Sequence, residues 1–265
     1  MTTAGRYTRL LGVQLRAAMQ TSMQYRLDFL VEGAMSIYWL AWNLVPLLIL
    51  YGHRDRVAGW DFPSALVVIG WFTMLRGVLD GAVSPSLVRA VEQIRSGELD
   101  YVLLKPADAQ FLVSTGRFEW WKVIDVLGGA ALVAWSLARL DVVPSAGEVA
   151  VAALLLLSGV LVLYSLWILV VCACFWVVRL DNLVYLFDAL FDAARWPIHV
   201  FRGFWRVLFT FVVPLALMTT YPAMSLLGRL DARTAGLALG GAVLFASVAR
   251  FLWRKAIRSY TSASS

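Results

Sequence analysis

The chain has 265 residues, of which 61% are hydrophobic and only 15% charged, and its mean hydropathy is +0.75. A water-soluble domain needs more polar surface to cover its core, so this composition excludes a soluble globular protein. The net charge of +6 does not indicate nucleic-acid binding, because the basic residues gather at the chain ends, as cytoplasmic retention of Lys and Arg predicts. We therefore predict an all-α polytopic membrane protein that binds membrane lipid and no nucleic acid.

The N-terminal segment is predicted to form a helix that lies along the cytoplasmic membrane surface. Within residues 5–26, an apolar face and a basic face recur at helical spacing. The apolar face holds Tyr7, Leu11, Leu15 and Ala18, and the polar face holds Arg9, Arg16 and Gln20. We divide the chain into this cytoplasmic helix, 1–28, a transmembrane domain, 29–253, and a cytoplasmic tail, 254–265.

Six apolar segments follow, each near the roughly 20-residue length that crosses a bilayer. They are 29–51, 63–83, 113–138, 149–178, the polar-interrupted 181–198, and 235–253. The fourth carries no charge and would extend about 45 Å as a helix, too long for one hydrocarbon core and too short for two spans. We predict a single long helix there that protrudes at one end.

The apolar stretch Val207–Leu227 is interrupted by Pro214 and Pro222. Proline removes a helical hydrogen bond, and irregular backbone is tolerated at membrane depth where it packs against protein. We therefore expect a re-entrant helical hairpin on the outer side, before the last span.

Charge predicts the sidedness of the six transmembrane helices. Lys and Arg are more numerous in the N-terminal arm, the insert 84–107 and the C-terminal tail than in the first two outer loops, which predicts that both termini are cytoplasmic. The five arginines between Arg195 and Arg233 argue against this assignment, because it leaves them outside.

The polar insert Ser84–Ala107, between the second and third spans, carries the most informative local pattern. Ser84 is a predicted N-cap, Pro85 suits the first helical position, and Gly97 suits a left-handed end. One face of the intervening helix is apolar and the other polar, with Leu87, Val88, Val91 and Ile94 opposite Arg89, Glu92, Gln93 and Arg95. A small amphipathic helix between two spans suits contact with a soluble partner, so we predict a cytoplasmic coupling helix over 84–97.

The sequence contains no HExxH, GxSxG or GxxxxGK[ST] motif, so we expect no catalytic or ATPase site in this chain. His53 and His199 lack metal-ligand spacing. Cys172 and Cys174 point to different faces of a helix, which argues against both a disulfide and a two-ligand metal site.

Charges inside the spans are costly and therefore informative. Arg76 and Asp80, at i,i+4 beside Gly77 and Gly81, are expected to form an ion pair at a close helix contact, with a role in gating as the alternative. The cluster of Glu119, Lys122 and Asp125 is expected to pair at the start of the third span, or to contact a cytoplasmic partner. A second small-residue pair, Gly236–Gly240, is expected to serve helix packing.

An acidic stripe marks the fifth apolar segment. Asp181, Asp188, Asp192 and Arg195 fall within about 60° of one another on a helix. They either line a water-filled path or contact a polar group of the substrate. Alternatively, they mark an amphipathic helix at a membrane surface or a subunit interface. Glu32, alone in the first span, is either a tethered interhelical group or faces the substrate. The translocation-path candidates are Glu32, Arg76, Asp80, Asp188 and Asp192.

The run Arg95–Pro106, RSGELDYVLLKP, resembles the cytoplasmic loop motif of type-2 ABC exporter permeases, especially the bacterial subgroup that includes daunorubicin-type permeases. Pro214 and Tyr221-Pro222, followed by a last span and a basic tail, are also similar to that group, although its drug-resistance members usually carry Asn-Pro before the last span.

The resemblance implies a subunit of the bacterial inner membrane that pairs with a second copy or a sister permease. Two separate ATPase subunits would bind the ATP and Mg, and no cofactor is expected in this chain. The residues that the resemblance assigns to ATPase coupling are Leu87, Val88, Val91, Glu92, Ile94, Arg95, Gly97 and Asp100.

The predicted function is export of an amphiphilic substrate, such as a lipid, a drug or a natural product, driven by the partner ATPase. Two alternatives remain open from the sequence. One is an intramembrane lipid-modifying enzyme, for which Asp188 and Asp192 offer the start of a site. The other is a membrane scaffold that an ATPase controls without transport.

Overall fold

The computed structural model describes residues 3–24, 26–176 and 188–260. The regular structure of these residues is helical, and five of their helices are long and apolar enough to cross a membrane. These are Leu30–His53, Phe62–Ser96, Trp120–Arg139, Ala146–Ala173 and Ala232–Ser259. The prediction of an all-α polytopic fold is confirmed at this level.

The α-helices are α1 (Thr3–Gln24), α2 (Arg26–His53), α3 (Phe62–Val78), α4 (Ser84–Ser96), α5 (Leu99–Leu103), α6 (Ala109–Ser114), α7 (Val123–Arg139), α8 (Ala146–Ala173), α9 (Gly203–Val207), α10 (Tyr221–Leu226) and α11 (Ala232–Ser259). Residues 188–192 are also helical. Single 3₁₀ turns lie at Trp120–Lys122, Ala193–Arg195 and Ile198–Val200, and π-helical turns at Leu79–Val83, Leu208–Val212 and Ala216–Thr220.

Helix α3 lies at the centre of the molecule, and residues 64–73 are all buried. It packs antiparallel to α7 at a contact made possible by glycine. A Cβ on Gly129 would lie 2.5 Å from the carbonyl oxygen of Gly70, and a Cβ on Gly77 would lie 2.9 Å from the Val126 side chain. The predicted close contact at Gly77 is therefore confirmed. No such contact exists at Gly236 or Gly240, where nothing in the described chain lies within 4 Å of an added Cβ.

Helix α3 runs into α4 through the π-helical turn, without a loop between them. The predicted N-cap role of Ser84 is wrong, because its backbone is helical (φ −58°, ψ −47°) and the chain enters α4 from a helix. Pro85 has no N–H, which leaves the carbonyl of Gly81 without its helical donor. The Glu119 N–H donates to that carbonyl instead, at 2.8 Å. The predicted left-handed end at Gly97 is confirmed (φ 79°).

The third predicted span, 113–138, begins later than expected. Helix α6, capped by the Asp108 carboxylate at the Phe111 N–H, ends at Ser114, and the membrane-length helix starts at Trp120. The intervening residues bond to the α3–α4 junction. The Ser86 hydroxyl donates to the Arg117 carbonyl (2.6 Å) and accepts from the Arg117 N–H (3.0 Å). Polar residues at 114–117 therefore form a tertiary tether and not the first turn of a span.

The predicted long helix in the fourth segment is present as α8. A capping box between Ser145 and Glu148 starts it at Ala146, and its 28 residues rise about 42 Å. It packs side by side with α11. Helices α2 and α11 are at the periphery, with outward apolar side chains such as Leu30 and Phe251.

The segment 203–226 is helical but broken, with its sharpest irregularity at Val213 and Pro214 (Val213 φ −117°, ψ 83°). The part after Pro214 packs against α3 and α8, since residues 216–220 are all buried and Met218 contacts Gly159. Two threonines in this part form hydrogen bonds to residues 194–198. The Thr219 hydroxyl donates to the Ala194 carbonyl, and the Thr220 hydroxyl accepts from the Ile198 N–H.

Candidate functional site

The predicted ion pair between Arg76 and Asp80 is confirmed, and it belongs to a larger charged cluster. Arg76 Nε donates to Asp80 Oδ2 at 3.0 Å, while Arg76 Nη1 lies 3.3 Å from Asp192 Oδ1 and 3.7 Å from Asp188 Oδ1. One guanidinium of α3 thus binds its own helix and the segment 188–192. Asp181, the first member of the predicted acidic stripe, lies outside the described residues.

Two further cations extend the cluster. Lys122 Nζ lies 3.3 Å from Asp80 Oδ2 and 3.1 Å from Asp125 Oδ2, which joins the start of α7 to α3. Arg195 pairs with Asp192 at 3.0 Å and donates to the Asn43 amide oxygen of α2 at 3.1 Å. We call these residues the charged cluster: Arg76, Asp80, Lys122, Asp125, Asp188, Asp192 and Arg195.

The sequence prediction of pairing at the start of α7 is correct for Lys122 and Asp125. Glu119, however, pairs with Arg117 at 2.9 Å and not with Lys122. The bridge from Lys122 to Asp80 was not predicted, since helical periodicity identifies neighbours on one helix and says nothing about contacts between α3 and α7.

The charged cluster forms one wall of a cavity of about 650 Å³. Helix α2 forms the opposite wall, with the polar side chains of Glu32, Ser36 and Asn43. Aromatic rings fill much of the rest of the lining, namely Trp39, Trp42, Phe72 and Trp121. Four of the five translocation-path candidates lie in the cluster, and the fifth, Glu32, faces it across the cavity. Ser36 and Asn43 were missed, although polar residues four and eleven positions after Glu32 in an apolar span share its helical face.

A second polar network lies at the end of the molecule that carries α4. The Arg250 guanidinium of α11 binds the Asp108 carboxylate at 2.6 Å and also donates to the Gln110 side chain, which donates to the Tyr164 hydroxyl of α8. This hydrogen bond from Arg250 holds the pKa of Asp108 below its ordinary value. The Asp108 N–H also donates to the Tyr7 hydroxyl, so α1 is attached to the same loop.

The structure divides the predicted coupling residues into two sets. The Leu87, Val91 and Ile94 side chains are buried against the chain's own core, so their apolar face is already occupied. The outward face of α4 presents Arg89, Glu92 and Arg95. Beyond Gly97, the α5 segment adds exposed apolar side chains that the periodicity argument did not single out, with Tyr101 71% and Leu104 81% exposed.

No three His, Cys, Asp or Glu side chains are grouped to hold a metal ion in the described ranges. His53 bonds the Ile49 carbonyl, and His199 accepts from the Trp60 indole N–H. The Cys172 and Cys174 side chains are both buried, and neither forms a disulfide within the described residues.

The family model described as ABC-2 family transporter protein matches residues 37–264. The chain belongs to the ABC-2 transporter family. ABC-2 proteins are membrane components of ABC transporters that typically lack an ATPase of their own, so this ABC-2 protein is a permease component with a partner ATPase subunit. No curated protein and no solved structure matches it significantly.

Proposed function

We propose that this ABC-2 protein is the dimerising permease subunit of an ATP-driven exporter that moves an amphiphilic substrate out of a bacterial cell. Separate ATPase subunits bind the ATP and Mg and contact the coupling region of α4 and α5. The cavity beside the charged cluster is the substrate-facing site. Family membership supports the permease role, and the geometry of α3, α4 and the charged cluster supports the assignments of the coupling region and the cavity.

The observation that carries the proposal is the continuity of α3 with α4. Together they form one 35-residue helical segment, Phe62–Ser96, which rises about 52 Å. Its far end carries the outward face of α4, and Arg76 and Asp80 at its centre form the cavity wall. A force applied to α4 therefore acts on the cavity through a single rigid element. The π-helical turn Leu79–Val83 lies between the two, and such turns are common at functional sites.

Six crossings with an outer hairpin fit the contacts best. Residues 188–200 run antiparallel beside α3, since Asp188 lies by Arg76, the Arg195 guanidinium lies over the Phe72 ring, and His199 meets Trp60. That course adds a crossing to the five long helices. In this topology the chain returns to the outer end before the broken segment 203–226, and both termini lie on the α4 side.

Docking of the ATPase is tested by co-purification. We expect Leu104→Glu to lower the amount of ATPase recovered with the full-length permease from host membranes by about tenfold or more, because loss of an interface anchor typically costs about 2 kcal/mol. The matched control is Val143→Glu, since Val143 is 92% exposed in the loop between α7 and α8. The readout is ATP hydrolysis in the eluate together with mass-spectrometric identification of a P-loop chain. Equal ATPase recovery from both variants contradicts the docking site.

Sidedness is tested with the same two positions. Cysteine introduced at Leu104 should react with a membrane-impermeant maleimide only in inside-out vesicles, and cysteine at Val143 only in intact cells. The native thiols give little background, because Cys172 and Cys174 are both buried. Labelling of position 104 from outside intact cells refutes the proposed topology.

A further inference from the structure

The cavity beside the charged cluster carries an excess of negative charge. Among the residues that the structure describes, its walls and their ion-pair partners contribute three cationic side chains and five carboxylates. The cations are Arg76, Lys122 and Arg195, and the carboxylates are Glu32, Asp80, Asp125, Asp188 and Asp192. With all groups ionised, the site has two more negative than positive charges.

Every cation of the cluster is already engaged by carboxylates. Arg76 contacts three of them, Lys122 contacts two, and Arg195 is bound to Asp192. An anionic ligand would have to displace these pairs and approach the remaining carboxylates. A cationic ligand meets no such penalty, because a like-charge juxtaposition disfavours binding and an opposite charge favours it.

Two groups on the α2 wall have no partner among the residues that the structure describes. Glu32 makes no hydrogen bond or ion pair within the described part of the chain. Ser36, one turn further along, is only 4% exposed, and its hydroxyl has no hydrogen-bond partner there. A buried hydroxyl without a partner is costly, and that cost falls when a ligand donates to it. Glu32 is exposed near the start of the span, so its carboxylate is accessible to the same ligand.

The remaining lining suits the apolar part of such a ligand. Trp39, Trp42 and Trp121 flank Glu32 and Ser36 in the cavity wall. Indole faces attract cations and bind apolar groups. A volume of about 650 Å³ is in the range that holds a small organic molecule.

We propose that this cavity binds an amphiphilic cation, whose charged group pairs with Glu32 and hydrogen-bonds Ser36 while its apolar body packs on the tryptophans of α2 and α7. This inference rests on the proposed function and names its substrate class. The four aspartates hold the three cations of the cluster in place, and Glu32 is the carboxylate left for the ligand.

The test is equilibrium binding of radiolabelled naphthylmethylammonium, whose N–H groups can donate to Glu32 and Ser36, to the full-length permease alone, in nanodiscs of zwitterionic lipid, with binding to empty nanodiscs subtracted. We expect saturable binding that Glu32→Gln weakens about tenfold, since a charge-assisted contact of this kind is lost. Glu32→Asp keeps the charge and should retain binding within about threefold. Glu98→Gln is the matched control, because Glu98 is exposed after α4, away from the cavity, and should bind like the wild type.

Naphthylacetate, which has the same ring system and the opposite charge, is the decisive competitor. Displacement of naphthylmethylammonium by an equal concentration of naphthylacetate overturns the proposal, as does unchanged binding to Glu32→Gln or the absence of saturable binding. If Glu32→Gln does not fold, loss of binding in Trp39→Leu with retention in Glu32→Asp supports the same site, and binding unchanged by Trp39→Leu overturns it. The assay contains no ATPase, so a permease that recovers its ATPase but fails to bind the cation refutes only this inference.

Discussion

Replacing Gly129 with alanine should force α3 and α7 apart. The added Cβ would lie 2.5 Å from the Gly70 carbonyl oxygen, and 2.8 Å from the Met74 amide nitrogen. An ordinary contact begins near 3.4 Å, so the helices must separate by about 0.9 Å at this point. Because the two nearest polar atoms belong to the backbone, no side-chain rotation relieves the clash.

The size of the effect follows from a matched comparison. Overpacking a well-packed contact costs about 1–3 kcal/mol, whereas glycine to alanine within a helix gains up to about 1 kcal/mol from propensity. Gly240→Ala isolates the second term, because nothing in the described chain lies within 4 Å of a Cβ at Gly240. Relative to that variant, Gly129→Ala should be destabilised by about 2 kcal/mol, or roughly 4–8 °C in melting temperature.

Thermal unfolding of the two detergent-solubilised variants, followed by size-exclusion chromatography after heating, measures this difference. Both changes add one methyl group to a helix interior, so solubility and expression are matched. A Gly129→Ala protein that melts at or above the temperature of Gly240→Ala would show that the α3–α7 contact is looser than described.

Two further outcomes test contacts at the end of the molecule that carries α4. Ser86→Ala removes both hydrogen bonds to Arg117 and leaves their backbone groups unpaired, at a cost of about 1–3 kcal/mol. It should therefore speed tryptic cleavage after Arg117. The control Ser247→Ala, on the exposed face of α11, should leave the cleavage rate unchanged. The bond to Arg250 lowers the folded-state pKa of Asp108 below its ordinary value of 3.8, so this stabilisation is complete above about pH 5 and is lost as the pH falls through the folded pKa. Asp108→Asn should therefore lower the melting temperature at neutral pH and make it fall less steeply as the pH is lowered. A melting temperature that falls with pH as steeply as that of the wild type would contradict this assignment.

Local sequence patterns were sufficient for features that depend on one segment alone. The length and apolarity of α8, the left-handed end at Gly97 and the pairing of Arg76 with Asp80 all involve residues a few positions apart, so helical geometry predicts them directly. The family was also visible in the sequence, because the run Arg95–Pro106 is a contiguous motif.

The start of the third span shows where local reasoning fails. Residues 114–117 were assigned to a helix by hydropathy, but the Arg117 backbone bonds to Ser86 and the Ser114 hydroxyl bonds to Tyr164. Likewise, Ser84 is a residue type that favours the N-cap position, yet the helix continues through it into α4. Pro85 leaves the Gly81 carbonyl without a helical donor, and the N–H of Glu119, from a distant part of the chain, donates to it instead. None of these partners is within reach of a periodicity argument.

The sequence by itself determined that this chain is a helical membrane protein with an amphipathic helix between two spans, because the cost of burying polar backbone and charge in lipid acts on each segment separately. Only the tertiary structure decided which charges meet between segments. Arg76 reaches Asp188 and Asp192, Lys122 reaches Asp80, and Glu32 is left facing them without an ion pair among the described residues. That division arises because hydropathy and helical spacing are properties of neighbours along the chain, while ion pairing depends on distances of a few ångströms between helices.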